Sequence, residues 1–142
     1  LTVLQAVAQA AKRAGVELHL ETDLAATDLT NVLEKASHPL VRANYDIGNS
    51  AALGRNPFEE LTLLKPWLGS VHVKDRLLGG TTVPLGTGAA DFPTCFRLFN
   101  VFGFRGPFIL QAAREEGLSE AELAIRNRRF VESQLATVAS GA

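Results

Sequence analysis

Four short runs in which apolar and polar residues alternate recur along the chain, separated by stretches with helical spacing. In Val16-Glu17-Leu18-His19-Leu20-Glu21 the alternation is strict, which predicts a strand with leucines on one face and Glu17, His19 and Glu21 on the other. Val41-Arg42-Ala43-Asn44-Tyr45-Asp46 repeats the pattern and puts Arg42, Asn44 and Asp46 together. Ser70-Val71-His72-Val73-Lys74-Asp75 sets Ser70, His72 and Lys74 against Val71 and Val73. Pro107-Phe108-Ile109-Leu110-Gln111 is a fourth, more apolar run.

The intervening stretches carry helix signals. Thr2 to Ala14 has Thr2 as a cap, Val3 and Val7 on one face, Lys12 and Arg13 in the last turn and Gly15 as a stop. Asp28 is placed to cap a helix through Lys35, ended by His38-Pro39 because the residue before a proline avoids the helical region. After a turn at Gly48 and Asn49, Asn56-Pro57 opens a helix with Glu59 and Glu60 in its positive first turn and Pro66 near its end. A long loop over Arg76 to Ala90 precedes a helix capped by Asp91 and carrying Phe92, Cys95, Phe96 and Phe99. Ser119-Glu120-Ala121-Glu122 has the form of a capping box and opens a last helix through about Ala136.

A helix followed by four strand–helix units, about five helices in all, predicts an α/β fold whose strands run parallel through right-handed crossovers. No linker interrupts the order, so residues 1–142 read as one domain. Parallel strands covered on both sides are normally apolar throughout. Three of these four carry a polar face instead. A solvent-exposed antiparallel sheet would explain that face, but the helix between every pair of strands favours a polar lumen surrounding a site.

Composition narrows the field. Fourteen basic and fifteen acidic residues among 142, a net charge of −1, make no electrostatic case for nucleic acid. The apolar runs are too short to span a bilayer and no charged-then-apolar leader opens the sequence, so a soluble, cytoplasmic protein is expected. One cysteine, Cys95, excludes an internal disulfide framework and reads as a small buried hydrophobe. Methionine is absent even at position 1, which points to a piece of a longer chain or a processed one.

Glu21, Asp46, His72 and Gln111 each end a different strand on the inferred inward face. Carboxylate oxygens and an imidazole nitrogen converging from adjacent strands suit Mn²⁺, Mg²⁺, Co²⁺ or Zn²⁺. A lone strand-end Glu is usually solvated and a lone His usually structural; the fourfold repetition is the signal. His19 reads as a lining residue, and His38 as a helix-end residue without chemistry.

With Leu18–Glu21, Tyr45-Asp46-Ile47-Gly48-Asn49, Val71-His72-Val73-Lys74-Asp75 and Pro84-Leu85-Gly86-Thr87-Gly88 through Asp91-Phe92, the sequence resembles the sugar isomerase/epimerase family with a xylose-isomerase-like TIM barrel. The resemblance covers essentially the whole chain. It implies one divalent metal held by Glu21, Asp46 and His72, with residue 111 in a fourth place usually taken by glutamate. Gln111 departs from that pattern: its carboxamide is neutral, and it is no base near neutral pH. Two-base epimerisation, as the resemblance would imply, is thereby put in doubt, whereas one-base aldose–ketose isomerisation through Glu21 stays open.

Further expectations concern substrate. Gly86 and Gly88 offer unhindered backbone amides in a loop position where barrels often bind phosphate, with Lys74, Arg76 and Arg114 to add charge; an ordinary glycine turn is the equal alternative. Lys74 pairs either with a substrate or with Asp75 or Glu21. Asn44 and Asn49 are candidate hydroxyl-binding groups, Asn49 alternatively holding its turn.

A whole barrel needs about 250 residues and eight strands, and the four strands here correspond to the second half in the resemblance. The strands near Leu18 and Ile109 would then expose parallel edges. Two copies could close eight strands as a homodimer, or a missing N-terminal half supplies the rest. The expected partner is a small sugar or sugar phosphate. The alternatives are a catalytically silent half-barrel with a structural or sugar-binding role, and a phosphodiesterase of the endonuclease IV type, which the near-neutral charge and scarcity of further ligands weaken.

Overall fold

A computed structural model describes residues 2–140. Its elements in order are α1 (Thr2–Ala14), β1 (Leu18–Leu20), α2 (Ala26–Ala36), β2 (Val41–Asp46), α3 (Ile47–Ala52), α4 (Pro57–Leu64), a 3-10 turn (Lys65–Trp67), β3 (Leu68–Val73), β4 (Asp75–Arg76), β5 (Thr82–Val83), α5 (Phe92–Val101), β6 (Phe108–Leu110) and α6 (Glu120–Ser140). Four strands pair in the order β1-β2-β3-β6, each neighbouring pair parallel. Consecutive units therefore lie side by side, as in a barrel wall and unlike a doubly wound sheet, whose order reverses.

The core lies between the outer face of this sheet and the helices. Val41, Ala43, Tyr45, Val71 and Val73 meet Leu29, Leu33, Leu61, Leu64, Phe96 and Phe99, all buried. Around β6, Phe108 stacks on Phe96, with ring centroids 5.3 Å apart, and meets Phe99 and Phe104 edge-on. These rings anchor the edge strand, whose Ile109 and Leu110 remain exposed.

Caps behave as their sequences require. Phe58 N–H donates to Asn56 Oδ1 at 2.9 Å and Thr94 N–H to Asp91 Oδ1 at 3.0 Å. Ser119 and Glu122 form the reciprocal box, Ser119 N–H donating to Glu122 Oε2 and Glu122 N–H to Ser119 Oγ. The Ser119 hydroxyl, which donates to Glu122 Oε2 at 2.7 Å, and the Ser119 N–H together hold the Glu122 carboxyl below the usual carboxylate range.

Several boundaries differ from expectation. Helix α2 begins at Ala26 with Ala25 as an N-cap that makes no side-chain bond, so Asp28 sits in the first turn and is not the cap. Gly48 and Asn49 are helical rather than a turn: Asp46 caps α3 from the strand end, and a Cβ at position 48 would lie 2.8 Å from the Lys74 backbone carbon, a close approach that only glycine permits. The stretch read as one long loop contains the short antiparallel pair β4–β5. Helix α6 runs on to Ser140, and the described residues hold six α-helices, in keeping with the expected count of about five. No helix among the described residues is long and apolar enough to cross a membrane.

Candidate metal centre

Strand β2 delivers Asp46 and strand β3 delivers His72 to the same level, because the two are register partners. That register contains an irregularity at Ala43/Asn44, opposite Gly69, where a Cβ would lie 2.6 Å from Arg42 Cβ and from His19 Nε2. Glycine there lets the polar side chains of the inner face pass. Glu21 stands one residue past β1.

One ligand atom from each of Glu21, Asp46 and His72 lies within 4.8 Å of the others. His72 Nδ1 is 3.3 Å from Glu21 Oε2 and 3.7 Å from Asp46 Oδ2. Asp46 divides its work between two oxygens. Oδ1 accepts the Asn49 N–H at 2.7 Å, whereas Oδ2 is buried without a hydrogen-bond partner, as is His72 Nδ1. Buried polar atoms are rarely left unmatched, since each costs a desolvation penalty that nothing repays. Two orphaned lone-pair atoms facing each other beside a third carboxylate are what a divalent cation would satisfy, and the oxygen–nitrogen donor set suits Mg²⁺, Mn²⁺, Co²⁺ or Zn²⁺. Burial raises the Asp46 carboxyl above the ordinary carboxylate range, against the pull of the Asn49 N–H and of the Lys74 ammonium. Lys74 Nζ lies 3.7 Å from Asp46 Oδ2, so this ammonium pairs with Asp46 rather than with Asp75 or Glu21.

Gln111 follows β6, its N–H donating to Val73 O at 3.1 Å. Ile109 is in register with His72, so residue 111 falls on the same face two positions further, with an exposed side chain. Asn44 is buried below the three ligand candidates, in register with Ser70, and its Oδ1 also lacks a partner. Asn49 Nδ2 donates to Glu21 Oε1 at 3.2 Å, and its Oδ1 accepts from Arg76 Nη1 at 3.0 Å. His19 is held structurally, Nδ1 on Ser70 Oγ at 2.8 Å and Nε2 on Glu17 at 2.9 Å, while His38 accepts the Leu40 N–H.

One expectation is corrected. The amides of Gly86 and Gly88 are not open to a phosphate: both donate to Asp75 Oδ2, at 2.9 and 2.8 Å. Arg114 stays in solvent with a side chain 89% exposed, its closest carboxylate being Glu120 on α6.

The organising role of Asp75 escaped the sequence reading, as did a strut behind the site. Arg55 donates to the carbonyls of Asp23 and Leu24 and lies 3.4 Å from Glu60 Oε1, tying the segment after Glu21 to α4. Glu60 is buried and also takes hydrogen bonds from Tyr45 and Ser50. The tethers at Asp23 and Leu24 are to main-chain oxygens, which leave no sequence signature; only the Asn56-Pro57 cap foretold where Glu60 would sit.

A parallel, sequentially ordered wall of strands with acids and an imidazole at its C-terminal ends defines a barrel-type α/β protein with a candidate metal site. Residues 1–134 match the sequence profile of the xylose isomerase-like TIM barrel, and the chain belongs to that family. The chain is 30% identical over 134 residues to the L-ribulose-5-phosphate 3-epimerase UlaE of Shigella boydii serotype 18, covering 89% of this chain and 46% of that protein. The crystal structure of a xylose isomerase domain protein from Planctomyces limnophilus superposes with a TM-score of 0.84 at 24% identity, over 98% of this chain and 54% of that one. A xylose isomerase-like TIM barrel protein from Mycobacterium smegmatis, crystallised in complex with magnesium, superposes with a TM-score of 0.71 at 20% identity, over 95% of this chain and 49% of that one. The chain spans about half the length of the curated relatives it matches, and its four strands are half of such a barrel.

Proposed function

We propose that Glu21, Asp46 and His72, with Gln111 as a neutral fourth ligand, bind one divalent cation and, through it, a small sugar or sugar phosphate, and that the reaction is a proton transfer next to the substrate carbonyl. The observation that carries this is the pair of orphaned atoms, Asp46 Oδ2 and His72 Nδ1, facing each other beside Glu21. Relationship to sugar epimerases, at 30% identity to UlaE, supports the substrate class. A bound cation would polarise the substrate oxygens and favour the enediolate. Glu21 is the more accessible of the two carboxylates and takes the proton from carbon. Asp46 and Lys74 hold their charges in place from below. Gln111 cannot return a proton from the opposite side, which favours one-base isomerisation over two-base epimerisation.

Gln111 also favours a second reading, a half-barrel that binds a sugar without turning it over. Incubating the protein with Mn²⁺ and a panel of ketoses and ketose phosphates in D₂O separates the two. Deuterium entering the carbon beside the carbonyl, and lost in Glu21→Gln, is expected from the first reading. Metal-dependent sugar binding without exchange supports the second, and no metal binding at all removes both. As for assembly, we propose that two copies close one barrel, β1 of each pairing with β6 of the other; light scattering that shows a folded monomer at micromolar concentration overturns it.

A further inference from the structure

We infer that Arg76 is a positioning residue for the metal site, acting through Asn49 and not through substrate. This rests on the metal-binding reading above. The polar head of Asn49 stands between two fixed groups. On one side, Arg76 is anchored by two hydrogen bonds to Gly80 O, from Nε at 3.1 Å and Nη2 at 2.8 Å, and its remaining Nη1 donates to Asn49 Oδ1 at 3.0 Å. On the other, Asn49 Nδ2 donates to Glu21 Oε1 at 3.2 Å. A guanidinium has donors only, so it accepts nothing but the oxygen side of the carboxamide. Arg76 thereby selects one of the two flips of Asn49, the one that turns the NH₂ group towards Glu21.

The opposite flip would aim a carbonyl oxygen at a carboxylate and repel it. With the selected flip, Oε1 of Glu21 is occupied and Oε2 is left facing His72 Nδ1 at 3.3 Å. The same residue also steadies the second carboxylate, since the Asn49 N–H donates to Asp46 Oδ1 at 2.7 Å and leaves Oδ2 free. Asn49 thus presents one oxygen from each of two carboxylates to a common point. The flip of the carboxamide is dictated by Arg76, which arrives from the β4–β5 hairpin pinned by Asp75. Charge supplied by Arg76 to a substrate phosphate, the role expected from sequence, would leave Asn49 unaffected; the hydrogen bonds favour the positioning role.

The test is a Mn²⁺ titration, read from the paramagnetic resonance of the free ion, on the wild type, Asn49→Ala, Arg76→Ala and the double variant. Groups that orient metal ligands are worth about 10- to 100-fold in affinity. Each single change is expected to weaken Mn²⁺ binding by about tenfold, and the double variant no further than Asn49→Ala, because Arg76 acts only through Asn49. An unchanged affinity in Arg76→Ala, or losses that multiply in the double variant, overturns the inference. A second readout needs no metal: the side-chain NH₂ resonances of Asn49 should shift in both Arg76→Ala and Glu21→Gln. If the wild type binds no Mn²⁺ while those resonances shift, the positioning stands and the metal reading falls. If they are indifferent to both changes, the positioning is wrong.

Discussion

Asp46 and Asp75 are carboxylates at neighbouring strand ends, both buried, and they are treated oppositely. Asp75 is 0% exposed and receives four backbone N–H groups, from Arg76 and Ala90 on Oδ1 and from Gly86 and Gly88 on Oδ2. Asp46 is 6% exposed and receives one, with its second oxygen left bare beside His72 and Lys74. A buried charge with all its lone pairs matched is a structural knot; one with a lone pair unmatched is held ready for something else. The loop from Arg76 to Ala90 is wound around the first. Gly88 is there because a side chain would strike the Asp75 carboxylate and the Arg76 carbonyl.

The contrast breaks most visibly at Asp75. In Asp75→Asn one oxygen becomes a donor that faces N–H groups, and losing two matched bonds in a buried site should lower stability by about 3 kcal/mol in urea unfolding. The loop should then be cut readily by protease. A variant as stable as the wild type would mean the nest contributes nothing.

At Asp46 the effect should depend on the metal. Asp46→Asn keeps an oxygen for the Asn49 N–H but removes the charge of a proposed ligand. The stabilisation that saturating Mn²⁺ brings, about 2.7 kcal/mol at a hundred times the dissociation constant, should vanish. Without metal the order reverses. Since burial raises the Asp46 carboxyl, the unfolded chain releases this proton first as pH rises, so ionised Asp46 costs stability above the ordinary carboxylate value. The metal-free variant should match or exceed the wild type at pH 7, and the gap should close in acid. A metal-free variant clearly weaker at pH 7 would place Asp46 with Asp75 as a structural group.

A smaller change tests Gln111, the proposed neutral fourth ligand. Gln111→Glu adds a negative charge on the face shared with His72 and should tighten Mn²⁺ by about tenfold, about 1.4 kcal/mol. Unchanged affinity removes residue 111 from the ligand set.

The smallest effect lies behind the strand. Burial, with Cys95 and Glu60 nearby, pushes the Tyr45 phenol well above its ordinary value. The unfolded chain therefore ionises first as pH climbs past about 10, and stability falls there. Tyr45→Phe should flatten that alkaline decline while costing about 1 kcal/mol at pH 7 for the hydrogen bonds to Ser50 and Glu60. An alkaline limb unchanged in this variant would show that Tyr45 does not cause it.

Alternation and caps are local properties, and they made the four strands, their parallel order and the shared face of Glu21, Asp46 and His72 legible in the sequence. Side chains two apart in a strand must lie on one side, whatever else the chain does. Boundaries were less visible where a distant partner sets them. Strand β1 shrinks to Leu18–Leu20 at the edge of the sheet, and the helix at Ile47–Ala52 depends on Asp46 capping from the strand and on Gly48 fitting against Lys74.

How each charged group is spent was decided by tertiary structure alone. Gly86 and Gly88 suit a phosphate cradle and an ordinary glycine turn equally well until Asp75 is seen to take their amides, and Lys74 chooses Asp46 among three carboxylates. Arg76 turns to Asn49 and Gly80 instead of outward. Hydrogen-bond donors are satisfied by whichever acceptor folding brings near, and that distance spans 27 positions for Arg76 with Asn49 and 28 for Asn49 with Glu21. Residue type announces what a side chain is able to bind; only the fold determines what it meets.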